Sequence, residues 1–163
     1  FFNLSRHREK MLNNPLRRHD GVWFICGVPD ELTTEENSQR EPGRIKSFHS
    51  VCGMVAPNRE YLNGEYDYVE ADIDGNRPQI VSTFGGVSGG GLWKVPLGIA
   101  PDGQIEPRDY ILSGIAFYQS GIGSEKGFVR CHGQNTIYKN AYDKVIGTYA
   151  KQGQIANRPI TDN

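Results

Sequence analysis

No run of apolar residues in this chain approaches the roughly 18–20 needed to cross a bilayer as a helix. No charged-then-apolar signal segment opens it either, so no membrane partner is expected. An excess of one charge is also missing: 18 Lys and Arg stand against 19 Asp and Glu. So weak a field argues against a general nucleic-acid role. Cysteine is scarce, and Cys26, Cys52 and Cys131 are widely spaced with no C-x-x-C. Neither a metal nor a cofactor is called for. Each cysteine lies in a strand-like apolar context, where a free thiol behaves as a small hydrophobe. Free thiols are the first expectation and one disulfide the alternative, which favours a reducing, cytoplasmic compartment. Internal repeats and low-complexity tracts are absent. So is an initiator Met before Phe1-Phe2, which suggests a processed or truncated product.

Glycine, by contrast, is plentiful. The 163 residues hold 20 of them, nearly twice the usual share of about 7%. Many tight turns are implied, in a chain long enough for one domain with a sizeable core. Short runs rich in β-branched and aromatic residues predict strands at Val22–Val28, Phe48–Val55, Tyr66–Ile73, Leu92–Leu97, Tyr110–Tyr118 and Phe128–Cys131. Val69, Ala71 and Ile73 share one face of their strand, with Tyr68, Glu70 and Asp72 on the other. Val22–Val28 is apolar on both faces, as suits a strand buried on two sides. The stretches Asp30–Lys46, Pro57–Glu65 and Gly98–Asp109 read as loops.

One helix is predicted. From Asn135 onward, Ile137, Ala141, Val145 and Tyr149 recur every four residues as one apolar stripe, with Asn135 as the cap. Residues 1–20 carry Arg6, His7, Arg8, Lys10, Arg17, Arg18 and His19 against Glu9 and Asp20. No aromatic interleaving accompanies these charges, so the segment reads as a solvated connector and not as a nucleic-acid arm. The expected fold is mainly β: a six-stranded antiparallel barrel with a C-terminal helix docked outside. It would span residues 21–150, between the connector at 1–20 and a flexible polar tail at 151–163.

The sharpest local signal is Phe84-Gly85-Gly86-Val87-Ser88-Gly89-Gly90-Gly91-Leu92-Trp93. Glycine reaches positive φ and allows close backbone approach. A serine in such a turn can project its hydroxyl outward while nearby N–H groups converge on one small space. Those amides could stabilise an oxyanion, worth about 3–4 kcal/mol per donor. A glycine-rich hairpin turn without chemistry is the bland alternative. A phosphate cradle lacks the G-x-x-x-x-G-K-[ST] lysine and precedes a strand. The G-x-S-x-G elbow of α/β-hydrolases is literally matched, yet it belongs between a strand and a helix.

Gly86-Val87-Ser88-Gly89-Gly90 is similar to the G-x-S-G-G signature of chymotrypsin-like serine peptidases. The strand that should follow is Gly91–Leu97, and the substrate-binding strand after it resembles Ile111–Tyr118. Gly127-Phe128-Val129-Arg130 and the helix from Asn135 to Tyr149 resemble the end of the domain. Upstream, Val22–Pro29 looks like the opening strand of the family's second barrel, and Val69–Ile73 like the strand before the active-site loop. The match runs in order over about residues 20–150. It implies Ser88 as nucleophile, with the backbone N–H groups of Gly86 and Ser88 as the oxyanion hole. It also implies a specificity pocket lined by Ser82, Thr83, Phe117, Tyr118, Gln119 and Gly127. Ser82 stands where an acidic floor would be, so cleavage after Arg or Lys is not expected. Gln119 stands where many members have Gly, which would narrow the pocket. Val87 replaces the aspartate that pairs with a newly cut N-terminus in secreted digestive members. The chain thus resembles the intracellular bacterial members more closely.

Serine needs a base. In the family, His and Asp come from a first barrel, which this chain does not resemble anywhere. His7 and His19 fall in the connector, and His49 reads as a core or rim residue. His132 follows Cys131, but neighbours on a strand face opposite ways, which disfavours a Cys–His dyad. The resemblance therefore implies a peptide or protein substrate and a missing N-terminal barrel, from the same precursor or a separate chain. A catalytically dead peptide-binding or scaffold module of the same fold is the alternative, and a glycine-rich β domain unrelated to peptidases the third.

Overall fold

The computed structural model describes residues 3–13, 21–37, 44–74, 85–120 and 126–151. In chain order these form α1 (Leu4–Asn13), β1 (Val22–Gly27), β2 (Thr33–Asn37), β3 (Arg44–Phe48), β4 (Val51–Asn63), β5 (Tyr66–Asp74), β6 (Gly91–Val95), β7 (Leu97–Ile99), β8 (Ile105–Pro107), β9 (Ile111–Ser120), β10 (Lys126–His132) and α2 (Tyr142–Lys151). Six strands close into an antiparallel barrel in the order β1-β4-β5-β10-β9-β6, with β6 returning to β1. Closure leaves no unpaired edge. All six correspond to the runs predicted from β-branched and aromatic residues.

Alternation explains the core. Trp23 and Ile25 of β1, Val69, Ala71 and Ile73 of β5, Leu92 of β6, Ala116 of β9, and Val129 and Cys131 of β10 fill the barrel. The opposite face of β5 is less open than expected, because Glu70 is buried there. Its carboxylate accepts from Arg130 Nε at 2.9 Å and pairs with Nη2 at 2.7 Å. Arg130 and Glu70 are direct cross-strand partners, so sheet register brings the charges together.

Three predicted loops contain further strands. Asp30–Lys46 includes β2 and part of β3, which pair antiparallel from Thr33↔Phe48 to Asn37↔Arg44. Phe48 therefore belongs to that hairpin and not to β4. Pro57–Glu65 is largely the second half of β4, which passes Pro57 through a register shift between Pro57 and Arg59. A bulge admits a residue that cannot donate to the ladder. Gly98–Asp109 holds most of the β7–β8 hairpin, with Leu97 paired to Pro107 and Ile99 to Ile105.

Segment 1–20 contains a helix, and its Leu4 packs on the rest of the chain. Residues 4–13 form a helix, and α1 docks on the far end of the chain: Met11 is buried with Ile111, Leu112, Ile137 and Tyr138. Arg8 Nε donates to the Tyr138 carbonyl at 2.7 Å, and Lys10 pairs with Asp109 at 2.5 Å. Phe1, Phe2 and residues 14–20 lie outside the described residues, as does the predicted tail beyond Lys151. The C-terminal helix begins as a π-helical turn, Thr136–Ala141, before α2. Asn135 makes no capping bond. Instead Asp67 accepts from the amides of Asn135 (2.9 Å) and Thr136 (2.6 Å) and from the Thr136 hydroxyl (2.6 Å). A charged acceptor at a helix start satisfies donors that have no intrahelical partner. The predicted apolar stripe is not buried along its length: Ile137 is, whereas Val145 and Tyr149 are exposed.

The cysteines depart from expectation too. Cys26 of β1 and Cys52 of β4 are direct cross-strand partners and form a disulfide, their Cα atoms 4.2 Å apart. Cys131 is free and buried, as expected. Burial pushes its thiol up to about 12. With this disulfide formed, the cysteines give no reason to expect a reducing compartment. No helix among the described residues is long and apolar enough to cross a membrane.

Candidate active site

The glycine loop enters the barrel immediately before β6, and its residues alternate in what they face. Val87 is 2% exposed and belongs to the barrel core, while Ser88 beside it is exposed. One side chain anchors the loop and the next is offered to solvent. The flanking backbone requires glycine: φ is +86° at Gly86 and +87° at Gly89, in the left-handed region that L side chains rarely adopt. At Gly86 space is lacking as well, since a Cβ would overlap the backbone and carboxylate of Asp30.

Four backbone bonds between described residues hold the loop. The Asp30 amide donates to Gly85 at 2.8 Å and the Gly90 amide to Val87 at 2.7 Å. The Gly89 amide donates to Ala116 at 2.8 Å, and the Ala116 amide returns a bond to Gly90 at 2.9 Å. The amides of Gly86 and Ser88 donate to none of the described residues, and the Ser88 hydroxyl has no hydrogen-bond partner among them. Two amides are thus left uncommitted, one on the nucleophile candidate and one two residues before it.

The bonds to Ala116 set β9 alongside the loop, which brings the backbone of Phe117, Tyr118 and Gln119 next in line. Phe117 occupies a register shift, because Arg130 faces Tyr118 while Cys131 faces Ala116. Bulges of this kind re-aim side chains. The Phe117 ring stacks on His132 with centroids 4.4 Å apart and tilts against Tyr68 at 5.8 Å. Tyr118 lies against Phe128 at 6.2 Å, under the Arg130 guanidinium at 5.1 Å. Both rings therefore have partners of their own on the outer face. Gln119 and Gly127 are half-buried, and Val129, two residues after Gly127, faces Gln119. Ser82 and Thr83 lie outside the described residues.

Histidine placement is the other half of the geometry. His132 sits among Phe117, Tyr66 and Tyr68. His7 is on α1, where burial, and then the Lys10 charge, hold its imidazole below the ordinary pKa against the opposing pull of Asp109. His49 follows β3 and is exposed, its amide donating to Leu32 at 3.2 Å. His19 lies outside the described residues. None of the three described histidines is hydrogen-bonded to Ser88. No cluster of three or more His, Cys, Asp or Glu among the described residues could hold a metal ion.

Sequence reasoning named Ser88 and Gly86 but missed the residues that hold them. Val87, which stands in place of an aspartate in the resemblance, is the loop's core anchor, a role with no local signal in the sequence. Asp30 and Ala116 are distant in sequence and carry no local signal. Gly27 did carry one, as a glycine inside a strand pattern that marks close approach: a Cβ there would meet Val87. Comparison with protein-family models, curated proteins and solved structures found no match to the chain. The geometry of the loop therefore carries the functional reading.

Proposed function

We propose that this chain is the nucleophile-bearing barrel of a chymotrypsin-like serine peptidase, cleaving a peptide or protein substrate through an acyl-enzyme at Ser88. The observation that carries the reading is the exposed Ser88 hydroxyl beside the uncommitted amides of Gly86 and Ser88. In the proposed reaction Ser88 Oγ attacks the scissile carbonyl and its proton passes to a base. The two amides stabilise the oxyanion of the tetrahedral intermediate, each contributing about 3–4 kcal/mol. The base then gives that proton to the leaving amine as the C–N bond breaks, which leaves the acyl-enzyme for water to hydrolyse. The chemistry uses no cofactor. The backbone of Phe117–Gln119, with Gly127, Ser82 and Thr83, would line the substrate pocket. With Ser82 in place of an acidic floor, Arg or Lys is not the preferred residue.

The base and its orienting carboxylate would come from an N-terminal barrel, part of the same precursor or a separate chain. Loss of a triad member costs about 10⁴–10⁶ in turnover, so the 163 residues alone are expected to be nearly inactive. That no base among the described residues is bonded to Ser88 also favours a second reading, in which the barrel binds peptides or serves as a scaffold without catalysis. If the protein is cytoplasmic, the Cys26–Cys52 disulfide is of the transient, redox-active kind found there.

Turnover of p-nitrophenyl acetate by the product of the complete coding sequence separates the two readings. A burst of p-nitrophenolate that vanishes in Ser88→Ala supports the peptidase. A product that binds peptides with no burst, its upstream sequence lacking a placed His and Asp, supports the scaffold.

A further inference from the structure

The sequence of β1 is apolar on both faces, but only its inward face is covered. On the outward face Val22, Phe24 and Cys26 join Cys52, Trp93 and Leu97 in lining an open groove of about 630 Å³. No charged side chain among the described residues contributes to this lining. Its one group capable of covalent chemistry is the disulfide: Cys26 is half-buried, Cys52 is exposed, and both line the groove. A disulfide accessible in the folded state is of the labile or regulatory type, because exchange requires a thiolate to reach a sulfur.

What lies behind this disulfide is the nucleophile loop. The end of β1 and the turn after it form the loop's back wall, contact by contact. The Cys26 carbonyl sits where a Cβ on Gly90 would go, and Gly27 admits the Val87 side chain. Asp30 holds Gly85 through its amide and packs against Gly86. Cys52 fastens this wall to β4 at Cys26, four residues before Asp30.

We propose that Cys26–Cys52 is a thiol–disulfide exchange site, opened in the folded protein by a dithiol reductant entering the apolar groove, and that opening it loosens the Gly86–Gly90 loop. The regulatory part rests on reading that loop as the nucleophile's. The reductant's thiolate attacks Sγ of Cys52, the more exposed of the two residues. The S–S bond breaks, Sγ of Cys26 departs as a thiolate and takes up a proton. The reductant's second thiolate then attacks the mixed disulfide, freeing Cys52. Two electrons and two protons reach the cysteines, and the dithiol becomes a disulfide.

Dithiothreitol titration of the native protein tests this, read by thiol alkylation with mass spectrometry and by hydrogen exchange. Cys26 and Cys52 are expected to alkylate together while Cys131 stays protected. Exchange at the Gly89 and Gly90 amides should rise several-fold, with β5 and β10 unchanged. The Cys26→Ser/Cys52→Ser variant should show the faster exchange without reductant; if it does not fold, the titration of the native chain decides. Two results overturn the proposal: alkylation of the pair only in step with Cys131, which means global unfolding, or opening with no change at residues 85–90. Neither readout uses Ser88 chemistry, so Ser88→Ala should behave as the native chain does. A failure here is thus separable from a failure of the peptidase reading.

Discussion

The Gly86–Gly90 loop and the C-terminal helix are held in opposite ways. Four backbone hydrogen bonds, two glycines at positive φ and one core side chain, Val87, fix the loop inside a closed sheet. The helical corner combines a small apolar cluster with side-chain clasps near the surface. These are Asp67 with Thr136, Arg8 with Asp143 at 3.2 Å, Ser5 with Tyr142 at 2.9 Å, and Lys10 with Asp109. Beyond them α2 leaves Val145, Ile146 and Tyr149 exposed. A reacting group needs positional precision, and backbone bonds within a closed sheet supply it. Exposed ion pairs contribute little, because water and salt screen them.

Breaking the loop's anchor should have the largest effect. Val87→Asp puts an unpaired charge in the barrel core and is expected to cost about 3–5 kcal/mol. Urea unfolding measures it, and a loss below about 1 kcal/mol would mean that Val87 is not inside. Gly86→Ala should cost about 1–3 kcal/mol, from left-handed backbone and overlap with Asp30. At the helical corner, Asp67→Ala removes the acceptor of two amides and a hydroxyl, worth about 1–3 kcal/mol. Its damage should be local. Hydrogen exchange should quicken over residues 135–151 while β9 and β10 keep their protection.

Acid should weaken the corner before the loop. His7 is held below its ordinary pKa by burial first, so folding favours its neutral form. Its contribution is complete above the unfolded pKa of about 6.5 and is lost as pH falls through the folded value. Burial pushes Asp109 upward, but the Lys10 hydrogen bond and charge outweigh it and leave its pKa lowered. That contribution is present above about pH 3.9 and disappears as pH falls through the depressed value. Docking of α1, followed by hydrogen exchange at Arg8–Met11, should therefore loosen in two acid steps, together below about 1 kcal/mol because the pair is exposed. The smallest effect belongs to Tyr149→Ser, within about 0.5 kcal/mol. A larger loss would mean that the stripe on α2 is covered.

The same contrast explains what could be read from the sequence. Barrel strands carry their own signal, since Val69, Ala71 and Ile73 must alternate to fill the interior. The Gly86–Gly90 loop was legible because few residues other than glycine tolerate its backbone. Thr33–Asn37 was not, because a polar ribbon away from the core lacks apolar alternation. Nor could the spacing of Cys26 and Cys52 reveal a pairing that depends on β1–β4 register. The helix start misled for a related reason: Asn135 has the right chemistry for a cap, but Asp67, brought close by the fold, takes the position. Charge concealed α1, whose Leu4 and Met11 turn inward among basic neighbours.

Fluorophosphonate labelling of the complete gene product, with the modified residue located by mass spectrometry, reaches the central claim most directly. The adduct is expected on Ser88 and nowhere in Ser88→Ala, with the isolated 163 residues labelled poorly or not at all. An adduct on another residue, or labelling that persists in Ser88→Ala, would contradict the account.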